Sequence, residues 1–541
     1  MTEPAPRGGD RVPVRTVELL AFVAIVILAA LLRFIDLPTR GTWDADQGHD
    51  MLVLRDFVQS GSIPLLGPPT SIGDFHHGML YYVLLAPAAL VSGADPTVVT
   101  AWIALGGVIA VAVTGWLARA IAGPIAGIVA ALLLAVSGSA VEESTFIWNP
   151  NLIALSSSIA LAAAWHAWGT RRAGWWVVAG AAAVVTMHCH VLGVILTPVI
   201  AGLLVADLRQ RGRDGDPGGR GAVLGAAAAW LLLALLSYVP LAIHELQSDF
   251  SELRAAVAFL TGGGGPPAIA LPARVPIVLL RVLGWPLTGL ITAAPIPTIL
   301  AAALVIVLAV WRGWLAPATE ERFAVRWLGL GLLWTVVALA VGASSLATVV
   351  LGLPNDHYHA FADPIVVVLV GVGVAAFLRR TSAPAMTAAA RLAPAAAGAV
   401  VLTALIGWNA THQPPPSAPD GGWPAAELAA AHILVSTGGG AMTLDSLPKV
   451  KSADAIRFPL ERLAPGSVVT GANGSGATRT AQVILCDQLF HETIGGDCGG
   501  PAEDAAIQGL VGGSTSAPTL LARFEAAPGR WVSVYRLSAT R

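Results

Sequence analysis

The chain has 541 residues, 55% of them hydrophobic and 12% charged, with a formal net charge of -2. A soluble globular chain is about 45–50% apolar and about 25% charged, so this composition indicates a membrane protein rather than an ordinary soluble enzyme. Only two lysines occur, Lys449 and Lys451, and the basic stripes that grip nucleic acid are missing.

Residues 1–16 read as a cytoplasmic tail. The run "VELLAFVAIVILAALL" behind them is part of a span, which needs about 20 apolar residues. No small-residue cleavage site follows it, so a retained first span is expected rather than a signal peptide. Arginines then set the topology, because Lys and Arg favour the cytoplasmic side of short loops. The asymmetry emerges when 77–92 and 273–291 are read as helices lying at the outer surface. Spans are expected at 17–35, 97–118, 122–141, 151–169, 173–188, 190–207, 222–242, 294–311, 326–350, 361–379 and 391–409. That is about 11 transmembrane helices (11–13) in a membrane domain over 17–410, with the N-terminus inside and the C-terminus outside. Sixteen arginines between Arg7 and Arg391 then fall inside, against six outside: Arg33, Arg40, Arg55, Arg254, Arg274 and Arg281.

The unusual side chains gather on the outer side. The first outer loop, about 36–96, opens with "GTWDADQGHDMLVLRDF". "DMLVLRDFVQSG" has helical spacing and a glycine stop. Asp44 or Asp46 therefore either caps this helix or serves as a proton acceptor. "GDFHHGMLYYVLLAPAAL" reads as an outer-surface helix, with Tyr81 and Tyr82 suited to a headgroup-level belt and His76 and His77 able to donate to phosphate or sugar. "VEESTFIWNPNL" brings Glu142, Glu143, Trp148, Asn149 and Asn151 to the ends of two spans, where Asn149 is either a helix cap or a sugar ligand. His188 and His190 fall at another span end, and residues i and i+2 of a helix do not share a face for a metal. A third outer loop, from His244 to about Ala293, includes "TGGGGPP". That stretch lacks the Lys-Ser/Thr of a phosphate loop and reads as a flexible active-site loop. "NDHYHAFADP" adds His357, Tyr358 and His359. A transporter more often carries its ionisable residues at mid-membrane.

Composition changes after Asn409. Residues 411–424 form a Pro-rich linker that favours extended backbone. Residues 425–541 are expected to form a small extracytoplasmic α/β domain. Its helix candidate is "PAAELAAAHILVS", and its strand candidates are "GGAMTLDSL", "TAQVILCD" and "RWVSVYRL". Cys486 and Cys498 stand 12 apart, and on the outer side a disulfide between them is expected, with two free thiols as the alternative. No CxxC spacing supports a metal at His491 and Cys498. Cys189 reads as core packing in a span.

The order of these motifs resembles the polytopic GT-C glycosyltransferases that use polyprenyl-phosphate sugars. The likeness is to bacterial members of the protein mannosyltransferase and aminoarabinose transferase type, and it covers about residues 15–410. Asp46-Gln47 takes the place of the family's acidic pair, with Gln47 where the second acid usually stands. "FHHGMLYY" (75–82) takes the place of the next motif without its prolines, and Asn149-Pro150 that of an Asp-Pro. The resemblance implies a polytopic α-helical membrane protein of GT-C fold in the cell membrane. It implies transfer of a hexosyl or pentosyl group from a polyprenyl-phosphate donor to a lipid, glycan or protein acceptor at the outer face. Asp46 would be the general base, with Asp44 as the alternative. Substrate contacts would come from Gln47, Tyr81, Glu142, Glu143 and Asn149. Partners for the leaving phosphate would come from Arg55, His76, His77, Arg254, Arg274, His357 and His359. No cofactor is required, a divalent cation on carboxylate oxygens being the open alternative. The rival reading is a transporter or flippase for a lipid-linked sugar.

Overall fold

A computed structural model describes residues 14–70, 75–259, 261, 269–343, 346, 356–379, 388–469, 480–511 and 518–537. The glycine-rich stretch expected as an active-site loop lies, apart from Thr261, outside the described residues, as do residues 1–13. Among the described residues, ten helices are long and apolar enough to cross a membrane, from Arg15–Phe34 to Leu392–Thr411. Three shorter apolar helices, Leu80–Ser92, Pro124–Val136 and Gly174–Cys189, complete the bundle.

Several expected boundaries move for local reasons. The span expected at 122–141 is the 13-residue helix Pro124–Val136. It stops where the Ser137 side chain accepts a hydrogen bond from Ala140 N and starts a second helix, Gly138–Glu142. The span expected at 326–350 is the helix Thr319–Gly342. It begins earlier because Glu320 and Glu321 favour its first turn, and buried Glu321 accepts from Arg312 Nε at 2.8 Å. Arg322 is therefore helical rather than a loop residue. The helix Leu271–Thr288, expected as a surface helix, is long and apolar enough to span. Its Trp285 and Leu287 carbonyls meet Ser139 and Asn409.

The bundle has two unlike ends. One end carries Arg119, Arg171, Arg312 and Arg379, with Arg379 donating to Ala122 O at 2.8 Å and Arg171 paired with Asp214 at 2.8 Å. The other carries the long loops and the C-terminal domain. Buried Arg33 fixes this second end. It donates to Leu134 O at 3.2 Å, Ala135 O at 3.1 Å and Ser144 Oγ at 3.2 Å, anchoring the segment that leads to Trp148.

The C-terminal domain opens with the helix Gly422–Thr437. Its strands are β1 (Met442–Leu447), β2 (Ala481–Asp487), β3 (Thr519–Ala527) and β4 (Arg530–Arg536). They form one sheet in the order β1-β2-β4-β3. β1 and β2 run parallel, joined through the helix Asp454–Leu463, and the remaining pairs are antiparallel. Cys486 at the end of β2 is disulfide-bonded to Cys498.

This domain is seated on the first loop. Trp43 is buried between Trp423 and Phe458, with ring centroids at 4.6 and 5.7 Å, and its indole N–H donates to Ala455 O at 2.8 Å. The helix Asp454–Leu463 crosses the loop helix Ala45–Ser60 at Gly48. A Cβ there would lie 2.1 Å from Asp454 O, so the close approach requires glycine. Arg55–Glu461 at 2.9 Å and Arg462–Asp95 at 2.8 Å close the rim of the contact.

Candidate active site

The loop helix Ala45–Ser60 positions the acids. Asp44 is its N-cap, and Gln47 Oε1 accepts from the Asp44 backbone N–H at 2.8 Å, the reciprocal half of a capping box. Gly61 ends the helix at φ +73°, as a C′ glycine does. Gln47 is buried, and its Nε2 donates to Ile147 O at 2.9 Å. Both ends of its amide are thus committed to placing the helix.

The three carboxylates of the first two turns have unlike surroundings. Asp44 pairs with Arg530 at 3.0 Å and Lys451 at 3.6 Å, both from the C-terminal domain. Burial pushes its carboxyl up, but these two cations outweigh that and hold it below the ordinary carboxylate range. Asp50 is buried and accepts from the hydroxyls of Tyr81 and Tyr82, each at 2.8 Å. Burial raises its pKa to about 7 against the pull of those two hydroxyls. Asp46 is exposed, with neighbouring protein partly desolvating its carboxyl. Desolvation by that protein raises its pKa. Lys451 opposes the rise, Asp44 adds to it, and His49 and a hydrogen bond from Trp148 oppose it. His49 is raised in turn, chiefly by its hydrogen bond to Asp454, whose carboxylate is 3.5 Å away.

Trp148 links Asp46 to a run of rings. Its centroid is 4.0 Å from His357. His357 is 4.1 Å from Tyr358, Tyr358 is 4.6 Å from His190, and His190 is 4.9 Å from His77. His77 is buried, and burial lowers its pKa to about 4. Glu142 is exposed, while Glu143 has one oxygen without a hydrogen-bond partner. Burial, Glu142 and Asp356 together raise the Glu143 pKa well above the usual range. His359 is buried with its Nε2 3.1 Å from Asp356, and Asp356 is held by Arg281 at 2.7 and 2.9 Å.

Asp46 and His357 thus flank Trp148, while His77 joins them through His190 and Tyr358, and Glu143 and His359 share Asp356 as a neighbour. Other expected ligands are engaged elsewhere. Tyr81 and Tyr82 do not form a headgroup belt; they are buried, because their helix packs inward against the loop helix and serves Asp50. Asn149 is buried and donates to Cys189 O at 2.5 Å, holding the turn before Ile153–Thr170. His76 is tethered to Glu252 at 2.9 Å. Arg55 lies nine residues beyond Asp46, about 13 Å along the helix axis, paired to Glu461. Arg254 is exposed and pairs with Asp249 at 2.6 Å. Arg274 is half-buried, with a partnerless Nε.

Sequence reasoning passed over Asp50, His49, His190, Lys451, Asp454, Arg530 and the Arg281–Asp356 pair as site residues. Asp50 carried a signal, since it stands four residues after Asp46 on the same helix face. The domain residues carried none, being some four hundred residues distant. Among the described residues no group of three or more His, Cys, Asp or Glu side chains gathers to hold a metal ion.

No protein-family profile and no curated protein matches the chain in sequence. Two solved structures of ArnT from Cupriavidus metallidurans match it along its length. The one bound to undecaprenyl phosphate has a TM-score of 0.58 and the apo one 0.57. Both are 14% identical and cover 96% of this chain and 98% of that chain. The oligosaccharyltransferase AglB from Archaeoglobus fulgidus, in complex with an inhibitory peptide and a dolichol-phosphate, has a TM-score of 0.47 at 14% identity. It covers 88% of this chain and 70% of that chain. The near full-length correspondence with ArnT, together with the apolar bundle and its small C-terminal sheet, shows that this chain has the GT-C fold.

Proposed function

We propose that this protein is a membrane glycosyltransferase that moves a sugar from a polyprenyl-phosphate donor to an acceptor hydroxyl at the extracytoplasmic face. One observation carries the reading. Of the three carboxylates in the first two turns of the loop helix, Asp44 is spent on Arg530 and Lys451 and Asp50 on two tyrosines, while Asp46 is the one that stays exposed. A carboxylate with a raised pKa is matched to accepting a proton near neutral pH. Asp46 takes the proton of the acceptor hydroxyl as that oxygen bonds to the anomeric carbon. The bond from that carbon to the phosphate oxygen breaks, and the polyprenyl phosphate leaves with the electron pair.

The ArnT structure of the same fold binds undecaprenyl phosphate, which supports a lipid phosphate as the carrier. The arginine-rich end of the bundle supports a cytoplasmic placement for that end, and hence an outer placement for the end with the long loops. Lys451 and Arg530 beside Asp44 favour chemistry without a divalent cation at that turn.

The test uses the purified chain in liposomes with a panel of polyprenyl-phosphate sugars and envelope lipid and glycan acceptors. Glycosylated acceptor and free polyprenyl phosphate should appear together by mass spectrometry. Movement of intact lipid-linked sugar between leaflets without bond cleavage would favour a flippase instead. Envelope glycans from cells with and without the gene identify the sugar.

A further inference from the structure

The chain has two lysines, and both lie on the turn after β1. One of them, Lys451, reaches across the domain boundary to within 3.6 Å of Asp44. Its side chain stays about one-third exposed, and its ammonium also lies 5.5 Å from the Phe490 ring. Arg530, at the start of β4, binds the other oxygen of Asp44 at 3.0 Å and donates to Trp43 O at 2.8 Å. The cations that meet the loop acids therefore come from the C-terminal domain, and the docking contacts at Trp43, Gly48, Arg55 and Asp95 hold them there.

We propose that the C-terminal domain is a working part of the catalytic site: docked on the first loop, it sets Lys451 beside the Asp44–Asp46 turn and so keeps Asp46 ionised and ready to accept a proton. This rests on the reading of Asp46 as base. Lys451 is a positioning residue, acting through Asp46.

The groups facing Asp46 decide the sign. On its own helix stand Asp44, Asp50 and His49. From Leu80–Ser92 comes Tyr82, and from the segment before Ile153–Thr170 comes the uncharged Trp148. From the C-terminal domain comes Lys451, with Asp454 acting through His49 and Arg530 through Asp44. Both cations pair with Asp44, and of the two it is Lys451 whose charge also acts on Asp46. Without it the neighbouring acids and the desolvation are opposed only by His49 and Trp148, and the proton on Asp46 is held to higher pH.

The experiment is a pH profile of kcat/KM for the full-length protein as wild type, Lys451→Met, Lys451→Arg and Asp46→Asn, with thermal melts to establish folding. A unit charge beside the same turn, at a partly exposed site, moves a pKa by about one unit. Lys451→Met should therefore move the acid limb up by about one pH unit. The rate should fall about tenfold below the limb and recover above it, and Lys451→Arg should restore the wild-type limb. A merely structural role would lower the rate at every pH without moving the limb. That result, an unmoved limb with a normal rate, or a Lys451→Arg profile like that of Lys451→Met overturns the inference. If Asp46→Asn itself turns over normally, the base assignment is what fails.

Discussion

Replacing Asp50 by Asn tests the electrostatics of the loop helix without touching its neighbours. Asp50 is 1% exposed and accepts two tyrosine hydroxyl hydrogen bonds. Burial lifts its pKa to about 7, from an ordinary value of about 3.9. Because the folded pKa lies above the unfolded one, the native state binds the extra proton between those two values. Wild-type stability therefore falls as pH rises from about 4 to about 7 and is level beyond. Three pH decades at about 1.4 kcal/mol each amount to about 4 kcal/mol, the pull of the two hydroxyls being already included. Asn has nearly the same shape, can still meet both hydroxyls, and does not titrate. Thermal unfolding of purified wild type and Asp50→Asn in detergent, from pH 4.5 to 8, should give equal melting points at the acid end. The mutant should be the more stable by pH 8. A difference curve that stays flat, or that favours wild type as pH rises, would refute the claim that burial outweighs the tyrosines.

The buried Arg281–Asp356 pair has both side chains almost fully enclosed, so Arg281→Ala should cost about 3–5 kcal/mol by leaving Asp356 without its cation. The double change Arg281→Met with Asp356→Leu should recover much of that loss in the same melt. Cys486→Ser should lower the unfolding free energy of the C-terminal domain by roughly 3 kcal/mol on loop-entropy grounds. In wild type, alkylation without reductant should leave both Cys486 and Cys498 unlabelled by intact mass. A reporter active only outside the cytoplasm should work when fused after the last residue and be silent after Arg213; the opposite pattern would invert the topology.

Much of this architecture is legible in the sequence because its signals are local. Apolar runs mark the spans, and helical spacing with a glycine stop marks the loop helix. Short runs rich in Val, Ile, Leu, Trp and Tyr mark β2 and β4. β3, "TLLARFEAA", has no β-branched run and falls outside the expected strands, as does the helix Asp454–Leu463, which carries Pro459 within it. The tyrosine pair shows what periodicity leaves out. A surface helix with two tyrosines at its start fits a lipid headgroup belt as well as it fits a wall around a buried acid. Only the packing of Leu80–Ser92 against Ala45–Ser60 separates the two. The same holds for Asp44. Its neighbours in sequence announce a cap, which it is, while the cations that claim its carboxylate arrive from Lys451 and Arg530 at the far end of the chain.

The most direct measurement of the central claim is the turnover of Asp46→Asn beside that of Asp44→Asn, in purified protein with a labelled polyprenyl-phosphate sugar and donor binding measured in parallel. Asn keeps the shape of Asp and can still cap a helix, so the pair separates proton transfer from structure. Loss of general-base help costs about 10²- to 10⁴-fold in rate. Asp46→Asn should fold, bind donor as wild type does, and transfer sugar at least about a hundredfold more slowly, with Asp44→Asn impaired far less. Near-normal turnover in Asp46→Asn with Asp44→Asn inactive would move the base to Asp44, and full activity in both would remove the catalytic centre from this loop.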